Sequence, residues 1–326
     1  MNVAELLKLS GAFWTTGAIH VGVKLDLFSP PAHKPQTATE LAQLLQADSR
    51  ALAMLLNALC SLNLLEKKGE IFAANAFSAQ YLTKDSPDYL GHIIMHHHYL
   101  VEGWSKLDQA VLTGKPVRTR STMSDGKVRE SFLMGMFNLA MQLAPRVAKA
   151  IDLNGRKRLL DLAGGPGTYA IHFCKENPEL SAVIYDYPTT RPFAEQTVAR
   201  FGLSERISFA AGDITVDAIG TGFDVVWVSH LLHSQGPESC REIVTKAASA
   251  LEAGGILLIQ DFLLDDNRAG PLFATLFSLN MLIGTSKGQS YSEGDISTMM
   301  QKAGLHNIHR LDITLPNGAG IMAGVK

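Results

Sequence analysis

Disulfide-forming cysteines, an excess of charge and long apolar runs are all missing from this sequence. Among its 326 residues, only Cys60, Cys174 and Cys240 are cysteines, an odd number spread far apart. Such spacing fits neither a disulfide framework nor a zinc cluster, so a reducing, cytoplasmic setting is predicted. The amino terminus lacks a basic start followed by an apolar core, and no later apolar run reaches bilayer length. Neither a signal peptide nor a transmembrane segment is therefore expected.

The charges of the chain nearly cancel. The formal net charge is −2, with 18% charged and 46% hydrophobic residues. Binding to nucleic acid or to an anionic membrane would call for a basic face, which this balance does not predict. The length suffices for more than one globular domain with a sizeable core. The expected partner is therefore a small molecule, with no nucleic acid and no membrane.

A glycine-rich segment at residues 159–170 contains Gly164, Gly165 and Gly167 and predicts a strand, a tight turn and a helix. Glycines let the backbone bend sharply and let a ligand approach where a Cβ would block it, while the helix points free N–H groups at the ligand. A second predicted strand ends at Asp186, whose carboxylate would accept hydrogen bonds from two ribose hydroxyls. The pattern predicts a nucleotide-type cofactor.

This pattern leaves more than one interpretation open. Gly165, Gly167 and Ala170 also satisfy the spacing of the dinucleotide fingerprint, so a nicotinamide cofactor is an alternative. An incidental glycine turn in an α/β protein is another. Downstream, residues 207–214 predict a third strand that ends in Gly-Asp, and residues 223–228 predict a fourth.

The whole series of strands resembles that of class I S-adenosylmethionine-dependent methyltransferases. The resemblance implies S-adenosylmethionine as cofactor, with Asp186 on the ribose and with Asp213 and Ile214 bracketing the adenine. It also implies a larger set of cofactor-binding residues, namely Asp161, Gly164, Gly165, Gly167, Asp186, Tyr187, Asp213, Ile214 and Ser229.

The amino-terminal region predicts a winged helix. Thr37 to Glu40 form a capping box that opens one helix, Asp48 or Ser49 caps a second over residues 50–62, and residues 64–72 predict a hairpin. A DNA-reading second helix would carry polar and basic side chains, whereas residues 51–59 are nearly all apolar. Burial against protein is favoured over a regulator that binds DNA.

Residues 11–14, 25–28, 104–107 and 132–136, taken with the winged helix, are similar to the amino-terminal half of small-molecule O-methyltransferases. This group includes caffeate, acetylserotonin, and bacterial polyketide and carotenoid enzymes. The resemblance implies an intertwined homodimer whose amino-terminal domain contributes to the substrate pocket.

The expected fold is α/β: a seven-stranded Rossmann-like methyltransferase domain preceded by a mostly helical winged-helix dimerisation domain. Three parts are predicted, a dimerisation domain at 1–100, a helical connector at 101–154 and a catalytic domain at 155–326. In the last part, residues 237–251 and 292–303 predict helices and 255–261 a fifth strand. Residues 308–315 and 320–325 predict the last two strands, which the family pairs as an antiparallel edge.

A hydroxyl acceptor must lose its proton before it attacks the methyl group, and a neutral imidazole can accept that proton. The segment from His230 to Cys240 resembles the family stretch that contains the general base, which implies His233 in that role. Asp261 falls where the family has a carboxylate that orients this ring. The alternative is that His233 is only a partly buried histidine at the start of a helix.

The acceptor pocket is expected to be apolar and to suit an aromatic ring, because methionines pack adaptably around flat ligands. The tentative pocket residues are His97, Met136, Phe137, Met141, His230 and Met281. Plant members carry other residues where this chain has Ser229 and His230, and a second glutamate near Ser290. Carbon methylation and non-methylating chemistry on the same fold therefore remain alternatives to O-methylation.

Three consecutive histidines, His96 to His98, suggest a metal site. Consecutive helical residues point about 100° apart, so they cannot converge on one ion. His92 and His96 share a helix face but lack an evident third ligand. No metal is predicted.

Overall fold

The computed structural model describes residues 1–121 and 126–326, which fold into two compact units. The first contains Met1–Val101 and Gly126–Asn138, and the second contains the described part of Glu102–Asp125 together with Leu139–Lys326. Residues 101–154, predicted as a connector, contribute to both units. None of the helices in the described chain has the length and apolar character needed to span a membrane.

The first 141 residues are mostly helical. Their helices and strands are α1 (Val3–Ser10), α2 (Phe13–Lys24), α3 (Ser29–His33), β1 (Gln36–Thr37), α4 (Ala38–Leu45), α5 (Ser49–Ser61), β2 (Leu65–Lys68), β3 (Ile71–Ala74), α6 (Ala76–Tyr81), α7 (Gly91–Trp104), α8 (Leu107–Thr113) and α9 (Gly126–Met141).

The predicted winged helix is confirmed. Thr37 and Glu40 form the capping box of α4, because each side chain accepts a hydrogen bond from the other's backbone N–H. The Asp48 side chain accepts from the Ala51 N–H at the start of α5. Strands β2 and β3 form the hairpin, and β1 adds a third strand in the order β1-β3-β2. The apolar face of α5, with Leu56 and Leu59, is fully buried in the core of this unit.

The rest of the chain alternates between strands and helices. Its elements are α10 (Ala144–Ala150), β4 (Arg158–Leu162), α11 (Thr168–Glu176), β5 (Ser181–Asp186), α12 (Arg191–Arg200), β6 (Ile207–Ala211), β7 (Phe223–Ser229), α13 (Pro237–Ala250), β8 (Leu251–Phe262), α14 (Leu272–Gly284), α15 (Glu293–Lys302), β9 (His306–Arg310) and β10 (Ala319–Val325).

The predicted seven-stranded α/β sheet is confirmed, with strand order β6-β5-β4-β7-β8-β10-β9. Strands β4 to β8 pair in parallel, and β10 runs antiparallel to both β8 and β9. An antiparallel strand within the sheet departs from the six-strand dinucleotide-binding order. The order reverses between β4 and β7, and ligands of such sheets bind at this switch point, beyond the carboxyl ends of the strands.

Both faces of this sheet are buried, which explains the nearly continuous apolar strands. Leu160 and Val226 belong to the core on one face, whereas Leu159 and Trp227 belong to the core on the other. This alternation follows from the two-residue period of a strand, which sends successive side chains to opposite faces.

Three predicted strand boundaries were wrong. The third strand ends at Ala211, so Asp213 and Ile214 lie in the loop beyond it, and the fifth strand spans Leu251–Phe262. The strand expected at 308–315 covers only His306–Arg310. Just beyond it the Leu311 N–H still bonds the Ile321 carbonyl oxygen of β10, and the Ile313 N–H then turns back to bond the Leu311 carbonyl oxygen, which ends the pairing. By contrast, the helix over residues 292–303 is confirmed with its capping box of Ser292 and Asp295.

Candidate functional site

The glycine loop between β4 and α11 leaves no room for side chains at two positions. A Cβ on Gly164 would lie 2.6 Å from Asp161 Cγ, and one on Gly167 would lie 2.3 Å from Ile184 Cδ1. Gly165 and Gly167 also have φ of +54° and +77°, a region that favours glycine. A Cβ on Gly165 would meet nothing within 4 Å, so the loop faces open space at that position.

Asp186, at the end of β5, is bonded to this loop. Its Oδ2 accepts a hydrogen bond from the Gly165 N–H at 2.8 Å, and its Oδ1 accepts from the Tyr187 N–H at 2.6 Å and from Thr190 Oγ1 at 3.2 Å. Burial raises the pKa of Asp186, and these hydrogen bonds oppose the rise. The carboxylate is thus held in one orientation at the carboxyl end of the strand.

Asp161 lies beneath the same loop and is almost fully buried. It accepts a hydrogen bond from the Ala170 N–H at 3.2 Å. Burial raises its pKa to about 7, and the nearby charge of Asp186 adds to the rise. A positive charge placed beside Asp161 would therefore favour its ionised form.

Asp213 and Ile214 follow β6, the neighbour of β5 in the sheet. Asp213 Oδ1 accepts hydrogen bonds from the Thr215 N–H and Oγ1, at 2.9 and 2.7 Å, which holds the carboxylate in a local turn. The Gly212 N–H bonds the Asp186 carbonyl oxygen at 3.0 Å. Asp186 at the end of β5 and Asp213 in the loop after β6 therefore lie beside each other at the carboxyl ends of adjacent strands.

A buried histidine and carboxylate meet beyond the ends of β7 and β8. His233 Nδ1 lies 2.7 Å from Asp261 Oδ1, and Asp261 Oδ2 accepts the backbone N–H of His233 at 3.2 Å. Although burial opposes ionisation, His233 and His230 hold the pKa of Asp261 well below its usual range. When Asp261 is ionised and accepts a hydrogen bond from the His233 Nδ1–H, the Nε2 of that ring is left able to accept a proton.

The other histidine of this segment, His230, lies near the same carboxylate. His230 has a φ of +53°, and its Nδ1 lies 3.6 Å from Asp261 Oδ1. On the other side of its ring, Gln260 Nε2 lies 3.0 Å from His230 Nε2 and donates to the Tyr169 hydroxyl at 2.9 Å. Sequence reasoning missed Gln260 and Tyr169. The available signal was a glutamine that directly follows the apolar run of β8.

One group of side chains in the described part of the chain could hold a metal ion, and it consists of His230, His233 and Asp261, whose ligand atoms lie within 4.8 Å of one another. No other group of three or more His, Cys, Asp or Glu residues among the described residues meets this condition. Two of these atoms are already joined by the 2.7 Å hydrogen bond, which is the arrangement of a base with its orienting acid. In the histidine triplet, His96 packs edge-on against Phe132, while His98 packs against His20.

Aromatic rings surround the two site histidines, and sequence reasoning missed these too. The Phe277 ring centroid lies 4.7 Å from that of His233, and the Phe262 centroid lies 4.5 Å from that of His230. Phe273 packs against both phenylalanines. Aromatic pairs of this geometry are favourable, so a further ring brought to this cluster would find complementary surfaces.

The tentative pocket residues are distributed over both units. His97, Met136 and Phe137 belong to the first, and Met141, His230 and Met281 to the second. Within the second unit, Met281 is buried in α14, and Met141 Sδ lies 3.5 Å from His172 Nε2. Their role in acceptor binding stays a prediction.

Ser290 is fully buried. It lies near the position where the family resemblance implied a second acid in plant members. Its hydroxyl donates to the Ala274 carbonyl oxygen at 2.9 Å. The hydroxyl is thus engaged with the backbone of α14, and Asp261 is the carboxylate that contacts His233.

Known proteins resemble this chain over nearly its whole length. A family model described as an O-methyltransferase domain matches residues 104–306, and an O-methyltransferase dimerisation domain matches residues 7–84. A 3-hydroxy-5-methyl-1-naphthoate 3-O-methyltransferase from Streptomyces sahachiroi is 32% identical, covering 98% of this chain and 94% of the relative. An L-tyrosine C(3)-methyltransferase from Streptomyces lavendulae is 25% identical, covering 94% of this chain and 88% of the relative. A solved O-methyltransferase family protein from Burkholderia thailandensis has a TM-score of 0.90 and 29% identity, covering 100% of this chain and 98% of the other.

Proposed function

Because the chain belongs to the S-adenosylmethionine-dependent O-methyltransferase family, we propose that it methylates a hydroxyl group on an apolar, aromatic small molecule. The observation that carries this proposal is the buried hydrogen bond between His233 Nδ1 and Asp261 Oδ1, at 2.7 Å, beside a cluster of aromatic rings. It supplies a proton acceptor next to a surface suited to an aromatic acceptor.

The glycine loop fits the cofactor. It has open space at Gly165, and the N-cap residue of α11 is Gly167, which has no side chain. Within the first turn of α11, the Ala170 N–H is already bonded to Asp161. When bound, S-adenosylmethionine supplies a methyl group on a sulfonium, which is removed by direct displacement. We assign the ribose to Asp186, the adenine to Asp213 and Ile214, and flanking contacts to Tyr187 and Ser229. Burial raises the pKa of Asp161, and the positive charge of a bound cofactor would favour its ionised form.

His233 acts as the general base in this proposal. Its Nε2 takes the proton of the acceptor hydroxyl, and the ionised Asp261 stabilises the imidazolium that forms. Burial of both side chains keeps water from competing for the proton and strengthens their electrostatic interaction. In this proposal the base activates the acceptor.

The names of the relatives support an aromatic acceptor, but they differ in the atom that receives the methyl group. The Streptomyces sahachiroi relative is named for a hydroxyl on a naphthalene ring, and the Streptomyces lavendulae relative for a ring carbon of tyrosine. We take the hydroxyl as the acceptor because a base oriented by a carboxylate is what a hydroxyl needs before it can attack.

The first test is calorimetric titration of the purified protein with S-adenosylmethionine, S-adenosylhomocysteine and NADH, followed by a transfer assay on hydroxynaphthalenes. We expect micromolar binding of the two adenosyl ligands only, on the order of −8 kcal/mol, and release of S-adenosylhomocysteine with a methyl ether as product. Binding of NADH alone would contradict the cofactor assignment. A product methylated on carbon would show that the accepting atom is a ring carbon and not a hydroxyl oxygen.

We further propose that the chain is a homodimer, as its dimerisation-domain match supports. Helices α1 and α2 carry a row of exposed apolar side chains, including Leu7 at 65%, Phe13 at 68% and Trp14 at 75% exposure, and no residue of α1 is buried. An apolar surface of this kind favours contact with another protein.

The three cysteines are free, which supports the predicted reducing, cytoplasmic setting.

Charging this surface should separate the dimer. With Leu7→Glu and Trp14→Glu combined, we expect sedimentation equilibrium to report a mass near 35.3 kDa, whereas the parent should show twice that value. Leu112→Glu is the matched control, because Leu112 is 84% exposed on α8 in the second unit. A dimer that survives the double substitution would place the interface elsewhere.

A further inference from the structure

We propose that a basic cleft beside the His233 turn binds a carboxylate of the methyl acceptor, which makes the substrates aromatic hydroxy acids. This inference rests on the proposed function. The cleft has a volume of about 380 Å³ and lies entirely within the second unit. Its charged and hydroxyl-bearing lining includes Arg118, Arg120, Lys287, Ser234, Ser239 and Thr285.

The charged residues that line the cleft, among those that the structure describes, are all basic. Three of its described lining residues are basic and none is acidic. Arg118 Nε is buried and has no hydrogen-bond partner among the described residues, while one Nη of the same side chain donates to the Thr119 carbonyl oxygen at 3.2 Å. An arginine does not lose its proton, so this buried donor is costly until an anion accepts from it.

Burial and the neighbouring Arg120 both lower the pKa of the Arg118 guanidinium. Each cause reflects a cost of holding positive charge at this place. A carboxylate would relieve both, because it supplies the opposite charge and two acceptor oxygens that match the planar guanidinium.

The backbone is arranged to hold Arg118 in the cleft. The N–H groups of Val117 and Arg118 both bond the Ile283 carbonyl oxygen, at 3.0 and 3.1 Å, which joins this segment to the end of α14. Glycines make room for the side chain: a Cβ on Gly284 would lie 2.8 Å from Arg118 Nη2, and one on Gly103 would lie 2.7 Å from Arg118 Cδ. Larger residues at these two positions would displace the guanidinium.

The other basic side chains are placed in similar surroundings. Gly236 makes room for Lys287, since a Cβ there would lie 2.8 Å from Lys287 Cβ. The same glycine precedes α13, which begins without a side-chain cap. Its free N–H groups near Ser239 add to the positive potential that the basic side chains create.

The cleft adjoins the proposed base along the chain. Ser234 lines it and directly follows His233, and a Cβ on Gly288 would lie 2.7 Å from the His233 carbonyl oxygen. Consecutive Cα atoms are about 3.8 Å apart, so the lining starts within one residue of the base. In this proposal the acceptor's hydroxyl lies at His233 and its carboxylate in the cleft.

The test compares naphthalene-1-carboxylate with its neutral isostere naphthalene-1-carboxamide, titrated into protein saturated with S-adenosylhomocysteine. We expect the carboxylate to bind about tenfold more tightly, as for a charge-assisted hydrogen bond. Arg118→Gln and, separately, Arg120→Gln should reduce this preference to about twofold or less, with Arg118→Lys intermediate. Lys115→Gln is the matched control, because it removes the same charge from an exposed side chain outside the cleft lining.

Equal affinity for the two probes, no binding of either, or a preference that survives both glutamine variants would overturn the inference. A loss of S-adenosylhomocysteine affinity in Arg118→Gln, with the thermal unfolding temperature unchanged, would assign the cleft to the cofactor's carboxylate and would also overturn it. Transfer to 2-naphthol is measured in parallel. If this neutral acceptor is methylated and the carboxylate preference is absent, the proposed function stands and the inference fails. A carboxylate preference without transfer to either 2-naphthol or a hydroxynaphthoate rejects the proposed function.

Discussion

Replacing His233 with alanine is expected to lower the methyl-transfer rate to a hydroxyl acceptor about a thousandfold. The imidazole is held by Asp261 with Nε2 free to take the proton, and a buried site has no bulk water to replace it. S-adenosylmethionine affinity should stay within about twofold of the parent value, because the proposed cofactor contacts come from other residues. Single-turnover rates and calorimetry on the same preparations measure the two quantities.

The pH dependence of the residual activity distinguishes a lost base from a damaged site. Without His233, the rate should rise about tenfold per pH unit, because only acceptor that has ionised by itself, with a phenol pKa of about 10, can react. Asp261→Asn, which keeps the shape but not the charge, should cost about a hundredfold. His309→Ala is the control, since this histidine is exposed on β9. Unchanged turnover in His233→Ala would remove this residue from the mechanism.

Asp186→Ala is expected to weaken binding of S-adenosylmethionine and S-adenosylhomocysteine about a hundredfold. Two ribose hydroxyls donating to a partly buried carboxylate contribute about 1.5 kcal/mol or more each. The substitution also removes the acceptor of the Gly165 N–H, which orients the glycine loop. Calorimetric titration of both ligands measures the loss.

Asp186→Ala is compared with a control substitution at an exposed aspartate, and the thermal unfolding temperature is measured to check that the variant is folded. Asp312→Ala removes an exposed carboxylate of the same unit and should leave both affinities unchanged. Burial disfavours the charge of Asp186, so Asp186→Ala should not lower the thermal unfolding temperature by more than a few degrees. Full affinity in a folded Asp186→Ala protein would place the ribose elsewhere.

Local signals account for most of what could be predicted. The capping boxes of Thr37 with Glu40 and of Ser292 with Asp295 start α4 and α15, because each needs only a side chain and a backbone N–H a few residues apart. The glycines of residues 164–167 predicted the turn between β4 and α11 for the same reason. Strand ends were less predictable, since the end of β9 depends on where its pairing with β10 stops.

Contacts between distant segments account for what could not be predicted. Family resemblance suggested that His233 and Asp261 belong together, but the proximity of a second histidine to the same carboxylate oxygen emerged only from the structure. No local sequence pattern links Gln260 to Tyr169, or Phe262 to Phe277. Gln260 and Tyr169 are 91 residues apart in the chain, and contact over such a separation leaves no periodic signal in the sequence.

The sequence by itself therefore determined the alternation of strands and helices, the glycine loop and the acidic residue after the second strand. These features depend on hydrophobic periodicity, backbone freedom and hydrogen bonds over a few residues. The tertiary structure decided the His233–Asp261 geometry, the aromatic cluster around it and the basic cleft of Arg118, Arg120 and Lys287. Those arrangements require separate segments to meet at the carboxyl edge of one sheet, and only the packed fold brings them there.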